Sequence, residues 1–235
     1  MSNPIRQVTM EEFAAHLKSA AVTRRITEVW LHHTWRPLAT EYRGLATWQG
    51  IDKYHREERG WAGGIGYHVG TAKDKSVWLL RPLARSGAHV LNKNANSVGV
   101  VMVGDYDNED PAQVVPTAAR IVALLLERFG LGVDAVKFHR EAATKTCPGT
   151  RVRKLDFIAA VEAAMKQEPV PGEQVVIVEG FGAEPERVVR GANARVEAGG
   201  KLRADVRPLL EGLGYKVHAE HLATQGKLYV EPPGG

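Results

Sequence analysis

A histidine, a lysine and the single cysteine of the chain share one short stretch, His139-Arg140-Glu141-Ala142-Ala143-Thr144-Lys145-Thr146-Cys147-Pro148-Gly149. Thiolate and imidazole are both zinc ligands, and an ammonium group beside them stabilises developing negative charge. Taken alone, a lone cysteine more often behaves as a small buried hydrophobe, and one histidine is ordinarily a surface or satisfied core residue. The spacing from His139 to Cys147 is too wide for one helical face, so a loop must fold the two together. Cys147-Pro148-Gly149 has the composition of such a turn. As a metal site the stretch still lacks at least one ligand.

A further donor stands far upstream. Ile26-Thr27-Glu28-Val29-Trp30-Leu31-His32-His33-Thr34 is rich in β-formers and reads as a strand, ending in two histidines before Trp35-Arg36-Pro37. Alternation sends His32 and His33 to opposite faces, so only one of them faces a given site. With His32 added, two imidazoles and one thiolate leave a fourth tetrahedral position open to water. That is the arrangement of a catalytic zinc rather than a structural one.

The elements that must position these groups follow from pattern. Thr9-Met10-Glu11-Glu12 is a capping box opening a helix to about Ala20, with Phe13 and Leu17 on one face. A second helix runs from Leu45 to about Arg59, carrying Trp48, Ile51, Asp52 and His55, and Gly60-Trp61-Ala62-Gly63-Gly64 ends it. Ile65–Gly70 and Val77–Leu80 read as a strand pair turned through Lys73-Asp74-Lys75. Leu91–Ser97 reads as polar loop, and Val98–Val103 as a central strand buried on both faces. Asp105–Pro116 is loop. Thr117–Phe129 is a helix closed by Gly130, Val136–Phe138 a short strand leading into the opening stretch, and Leu155–Met165 a last helix. The expected fold is α/β, a central mixed β-sheet flanked by helices.

Lys166-Gln167-Glu168-Pro169-Val170-Pro171-Gly172-Glu173 is the best domain boundary, which divides the chain into residues 1–167, a linker at 168–173, and a small α+β module at 174–235. In that module Val175–Val178, Leu213–Val217 and Lys227–Val230 read as strands and Lys201–Leu213 as a helix.

At 235 residues, with 44% hydrophobic and 25% charged, the chain has an ordinary globular composition. One cysteine excludes an internal disulfide. The net charge of +4 attracts anionic partners such as cell-wall polymers or nucleic acid, but it is small and spread, and no aromatic-plus-basic motif supports a nucleic-acid partner. Met1–Gln7 lacks a basic-then-apolar leader pattern and no run approaches a membrane span. The expectation is a protein made in the cytoplasm, without membrane insertion.

Four separated blocks, in order, resemble the zinc-dependent N-acetylmuramoyl-L-alanine amidases, which include phage endolysins and the catalytic peptidoglycan recognition proteins. They are Trp30–Thr34, Gly60-Trp61 with Ile65-Gly66-Tyr67-His68, Gly87-Ala88-His89 with Asn94–Val100, and His139–Gly149, together covering about residues 25 to 165. The resemblance implies that one Zn²⁺ is held by His32, His139 and Cys147. Tyr67 and Lys145 are implied to be catalytic at the amide between muramic acid and L-alanine, Tyr67 orienting the attacking water or hydrogen-bonding the developing oxyanion and Lys145 stabilising that oxyanion as a point charge. His89 and Asn94 are implied to line the groove for glycan and peptide. Trp35, beside the first ligand, is a candidate for stacking on sugar, whereas core packing is expected for Trp48 and Trp61. His33 and His68, one step out of phase, are expected to face away from the metal.

Gly199–Val217 is similar to the small domain named after copper amine oxidase N-termini, which implies a binding or spacer module without copper. His218 and His221 read as a surface pair. A wall-binding role is the expectation, motivated by its attachment to an amidase and by Lys201, Arg203 and Arg207. The expected whole is a monomeric endolysin that reaches bacterial peptidoglycan after release from the host cytoplasm. A non-catalytic peptidoglycan binder and a cytosolic wall-recycling amidase are the alternatives.

Overall fold

In the computed structural model, residues 5–166 are described in full, and beyond them the backbone of four strands. The chain divides into two compact units, Met1–Gln167 and Glu168–Gly235. The first is built on a six-stranded sheet: β1 (Arg6–Val8), β2 (Glu28–His33), β3 (Val69–Thr71), β4 (Val77–Leu79), β5 (Ser97–Met102) and β6 (Val136–Phe138). Their order is β1-β4-β3-β5-β2-β6. β5 runs parallel to both β2 and β3, β2 runs parallel to β6, and β4 is antiparallel to β1 and β3. This is the mixed sheet expected, with four helices: α1 (Met10–Ser19), α2 (Leu45–Glu57), α3 (Val115–Phe129) and α4 (Lys154–Met165).

Strand alternation divides the core into two. Val29 and Leu31 of β2 and Val98, Val100 and Met102 of β5 pack with Phe13, Ile121, Leu125, Phe138 and Phe157 on the face covered by α1, α3 and α4. Val101 and Val103 point the other way, into a cluster with Trp48, Ile51, Ile65, Trp78 and Leu80 beneath α2. Each such side chain, once fully buried, contributes about 1.5–3 kcal/mol. β5 is buried along its whole length, which is why it reads as a continuous apolar run.

Local signals explain the helix ends. Thr9 Oγ1 accepts the Glu12 N–H and Glu12 Oε2 accepts the Thr9 N–H, the reciprocal capping box. At its other end α1 is tied to α3, because Arg128 donates to the carbonyls of Leu17 and Ala20. α3 starts two residues before the expected Thr117, since Pro116 is tolerated in the first turn where its missing N–H has no partner to lose.

Two departures matter. β1 was not foreseen; three residues at a sheet edge carry too short an alternation to stand out. Ile65–His68 is irregular rather than strand. Side chains of α2 take its first two backbone donors, Asp52 accepting Ile65 N–H at 2.7 Å and His55 Nδ1 accepting Gly66 N–H at 3.2 Å, and the His68 N–H reaches the Gly99 carbonyl of β5.

The second unit holds β7 (Val176–Gly180), β8 (Arg187–Val189), β9 (Lys216–His218) and β10 (Leu228–Glu231) in the order β8-β7-β10-β9. β7 and β10 pair in parallel and the other two pairings are antiparallel. The linker at 168–173, the helix over Lys201–Leu213 and the side chains of His218 and His221 lie outside the described residues. No helix among the described residues is long and apolar enough to cross a membrane.

Candidate metal centre and active site

His32, His139 and Cys147 each offer one donor atom, and the three atoms lie within 4.8 Å of one another. Three elements bring them together. β2 ends at His33, so His32 sits at the carboxyl end of a central strand. β6 pairs with β2 and hands the chain to His139, which opens a 3-10 turn. The loop then returns Cys147 beneath the end of β2, where its Sγ accepts the His33 N–H at 3.4 Å and lies 3.8 Å from His32 Nδ1.

That loop is pinned from outside. Asp107 accepts the Thr146 hydroxyl at 2.6 Å and the Thr150 N–H at 2.8 Å, and Arg140 donates to the carbonyls of Gly149 and Val152. At Gly149 the φ of +107° and the approach of the Tyr106 backbone leave no room for a Cβ.

The donor set fits zinc. Donors of a tetrahedral zinc with N and S ligands stand roughly 3–4 Å apart, which the 3.8 Å between Sγ and Nδ1 matches. Burial holds His32 far below the usual histidine range, with the neighbouring His89 and His139 acting in the same direction. His139 is lowered by burial and then by Lys145. Both shifts favour the neutral imidazole, the form that ligates metal. Burial pushes the Cys147 thiol up to about 12, opposed by the His33 N–H, Lys145 and Arg140. A cation at the site displaces that proton.

Tyr67 packs beside this cluster, its ring 5.1 Å from that of His32. Burial, with Cys147 next in effect, raises its phenol above the ordinary range, so the hydroxyl keeps its proton and remains a donor. Lys145 is exposed on the loop and lines the same cavity as Tyr67 and His139. The cavity measures about 660 Å³ and is also bordered by Arg36, Arg43, Tyr54, Arg59 and Trp61, with Glu41 the one carboxylate on its wall.

The other residues singled out in the sequence have these places. His33 turns to the opposite face, as alternation requires, and its Nδ1 accepts the Tyr106 N–H. His68 also faces away, accepting the Gly99 N–H through Nδ1. His89 borders the cavity but is only 7% exposed, and its Nδ1 lies 3.1 Å from His32 Nε2. Asn94 is not on the cavity wall; its Oδ1 accepts the N–H groups of His89 and Val90, which shapes the loop under His89. Trp35, 59% exposed, stands outside the cavity wall with the Arg36 guanidinium over its ring.

Trp48 is fully buried as expected, but Trp61 is not a core residue. It borders the cavity and stacks on His55 at 4.6 Å, because its N–H bonds back to the His55 carbonyl at the end of α2. His55 itself is a wall residue, and helical spacing marked only that it shares a face with Trp48 and Ile51.

The chain is similar to known proteins. The sequence model described as N-acetylmuramoyl-L-alanine amidase matches residues 22–150. Peptidoglycan-recognition protein LB of Drosophila melanogaster is 30% identical over 127 residues, covering 52% of this chain and 54% of that protein. The chain thus spans about half the length of that relative. The endolysin of Escherichia phage T7 is 32% identical over 111 residues, 44% of this chain and 70% of that protein. Among solved structures, wild-type Drosophila PGRP-LB superposes with a TM-score of 0.50 at 27% identity, covering 56% of this chain and 79% of that one. The amidase LysC from Clostridium intestinale gives 0.51 at 22% identity, covering 68% and 91%, a likeness of fold.

Proposed function

The chain belongs to the N-acetylmuramoyl-L-alanine amidase family, and from that premise we propose that it is a zinc amidase. It hydrolyses the amide between the lactyl group of N-acetylmuramic acid and L-alanine in bacterial peptidoglycan. The observation that carries this reading is the convergence of His32, His139 and Cys147 beside Tyr67, with His139 and Tyr67 on the wall of a cavity.

His32, His139 and Cys147 hold one Zn²⁺, which supplies Lewis acidity to the amide carbonyl and to the attacking water. The protein's own groups do the rest. Tyr67, kept protonated, donates to the oxygen that gains charge as water adds, and Lys145 opposes the same charge as an ammonium. Arg36, Arg43 and Arg59 outnumber Glu41 along the wall and attract the carboxylates of the stem peptide. Trp35 presents an exposed ring beside this region for stacking on the glycan. The site of action is the cell wall, after release of the protein in the manner of an endolysin, and the second unit serves to hold the wall. A chain ending at Lys166 that bound and lysed walls as well as the full chain would remove that last role.

Incubation of purified peptidoglycan with the protein, with and without a chelator, tests the reading. New L-alanine amino termini are expected, lost on chelation and in Cys147→Ser. New reducing sugar ends, or no cleavage, would overturn it.

A further inference from the structure

His32 has two ring nitrogens, and only one of them faces the donor cluster. Nδ1 is directed to Cys147 Sγ at 3.8 Å, while Nε2 lies 3.1 Å from Nδ1 of His89, the two rings meeting edge to face at 5.1 Å. The network continues inward. His89 Nε2 lies 3.4 Å from Ser97 Oγ, and that hydroxyl donates to the Lys93 carbonyl at 2.8 Å.

These contacts admit one consistent direction. The Ser97 proton is committed to Lys93, so Oγ accepts from His89 Nε2–H. Neutral His89 then has its lone pair on Nδ1 and accepts from His32 Nε2–H. The remaining lone pair of His32 is on Nδ1, towards Cys147. The protonation pattern is assigned from the hydrogen-bond network.

The place of His89 is built rather than incidental. A Cβ on Gly87 or on Gly99 would collide with the His89 ring, so two glycines from different segments open the slot it occupies. Its backbone N–H is fixed by Asn94 Oδ1 at 2.8 Å. A ring so enclosed, with both nitrogens engaged, is poorly suited to bind substrate and well suited to aim a neighbour.

We infer that His89 is a positioning residue for the metal centre: it accepts the Nε2–H of His32 and thereby fixes His32 as an Nδ1 ligand. The inference rests on the reading of His32, His139 and Cys147 as a zinc site. Outer partners of metal-bound imidazoles are usually carboxylates, carbonyls or water, and their loss lowers metal affinity about 10–100-fold. Here an uncharged imidazole takes that place, relayed to a backbone carbonyl through Ser97.

The test is Zn²⁺ affinity by chelator competition, with the absorption spectrum of the Co²⁺-substituted protein as a second readout. His89→Leu keeps bulk in the slot without an acceptor, whereas His89→Asn puts an amide oxygen near the position of Nδ1. Leu is expected to weaken zinc binding about 10–100-fold and to alter the Co²⁺ bands. Asn is expected to stay within about threefold of wild type, with the wild-type bands. Equal affinity in wild type and His89→Leu, or equal loss in Leu and Asn, would overturn the positioning role while leaving the zinc site standing. Failure of the wild-type protein to bind zinc would overturn the metal site itself, and this assignment with it.

Discussion

Cys147 Sγ lies 3.8 Å from His32 Nδ1 although 115 residues separate them, and the same sulfur accepts the backbone N–H of His33. One strand end thus both presents a donor and holds the thiol that completes the cluster. The position of Cys147 depends on the loop that carries it, and the chemistry depends on what stands around it.

Tyr67 and Lys145 should separate from the metal ligands in their effects. Tyr67→Phe retains zinc and substrate binding but lowers kcat about 10²–10³-fold, the cost of removing one oxyanion donor. Lys145→Ala lowers kcat at least about tenfold by the same logic, again with zinc retained. Metal content together with steady-state rates on soluble peptidoglycan fragments checks both. A Tyr67→Phe protein as fast as wild type would remove the phenol from the reaction.

Asp107 ties the Cys147 loop to the segment after β5 through Thr146 and Thr150. Asp107→Ala should lower folding stability by about 1–2 kcal/mol, since both bonds end on a charged but partly solvated acceptor. Zinc affinity should fall as well, because the loop carrying one ligand is released. Denaturant titration and chelator competition measure the two effects, and unchanged values in both would show the loop to be held otherwise.

Gly149 adopts φ +107° with the Tyr106 backbone against it. Gly149→Ala must either distort the turn two residues from Cys147 or displace Tyr106, a change of about 3 kcal/mol. The unfolding free energy reports it directly; a loss below about 0.5 kcal/mol would mean that the turn accommodates a side chain.

His55 predicts a pH dependence of stability. Burial depresses it from 6.5 to about 4, with Asp52 acting against the shift and Arg59 and Arg81 with it. The folded state therefore resists protonation that the unfolded chain accepts. The contribution is fully present above pH 6.5 and is lost as the pH falls towards 4. His55→Asn offers an oxygen to the Gly66 N–H without titrating, so the unfolding midpoint should fall less steeply across that window than in wild type. Identical slopes would assign the acid sensitivity to other groups.

Much of this was legible in the chain because its causes are local. Reciprocal caps made Thr9 and Glu12 readable as a helix start, and their bonds are present. Alternation along β2 was enough to put His32 and His33 on opposite faces, since successive side chains in any strand diverge. β5 announced its burial by an unbroken apolar run. Ile65–His68 misled for the opposite reason: its β-forming composition is real, but Asp52 and His55 of α2 take its first two backbone donors, and no local pattern records a partner from another element.

The same division runs through the site. Sequence by itself determined which residue types were available for zinc chemistry, their order along the chain and the strand face that His32 must take, because these depend on covalent neighbours and pleat. Tertiary structure alone decided that Cys147 meets the end of β2, that Trp61 turns to the cavity, and that His89, on the cavity wall, also meets the ring of His32. Those outcomes hang on the register of β2 with β5 and β6 and on the slot left by Gly87 and Gly99, where non-bonded contacts between distant segments choose which ring nitrogen finds which partner.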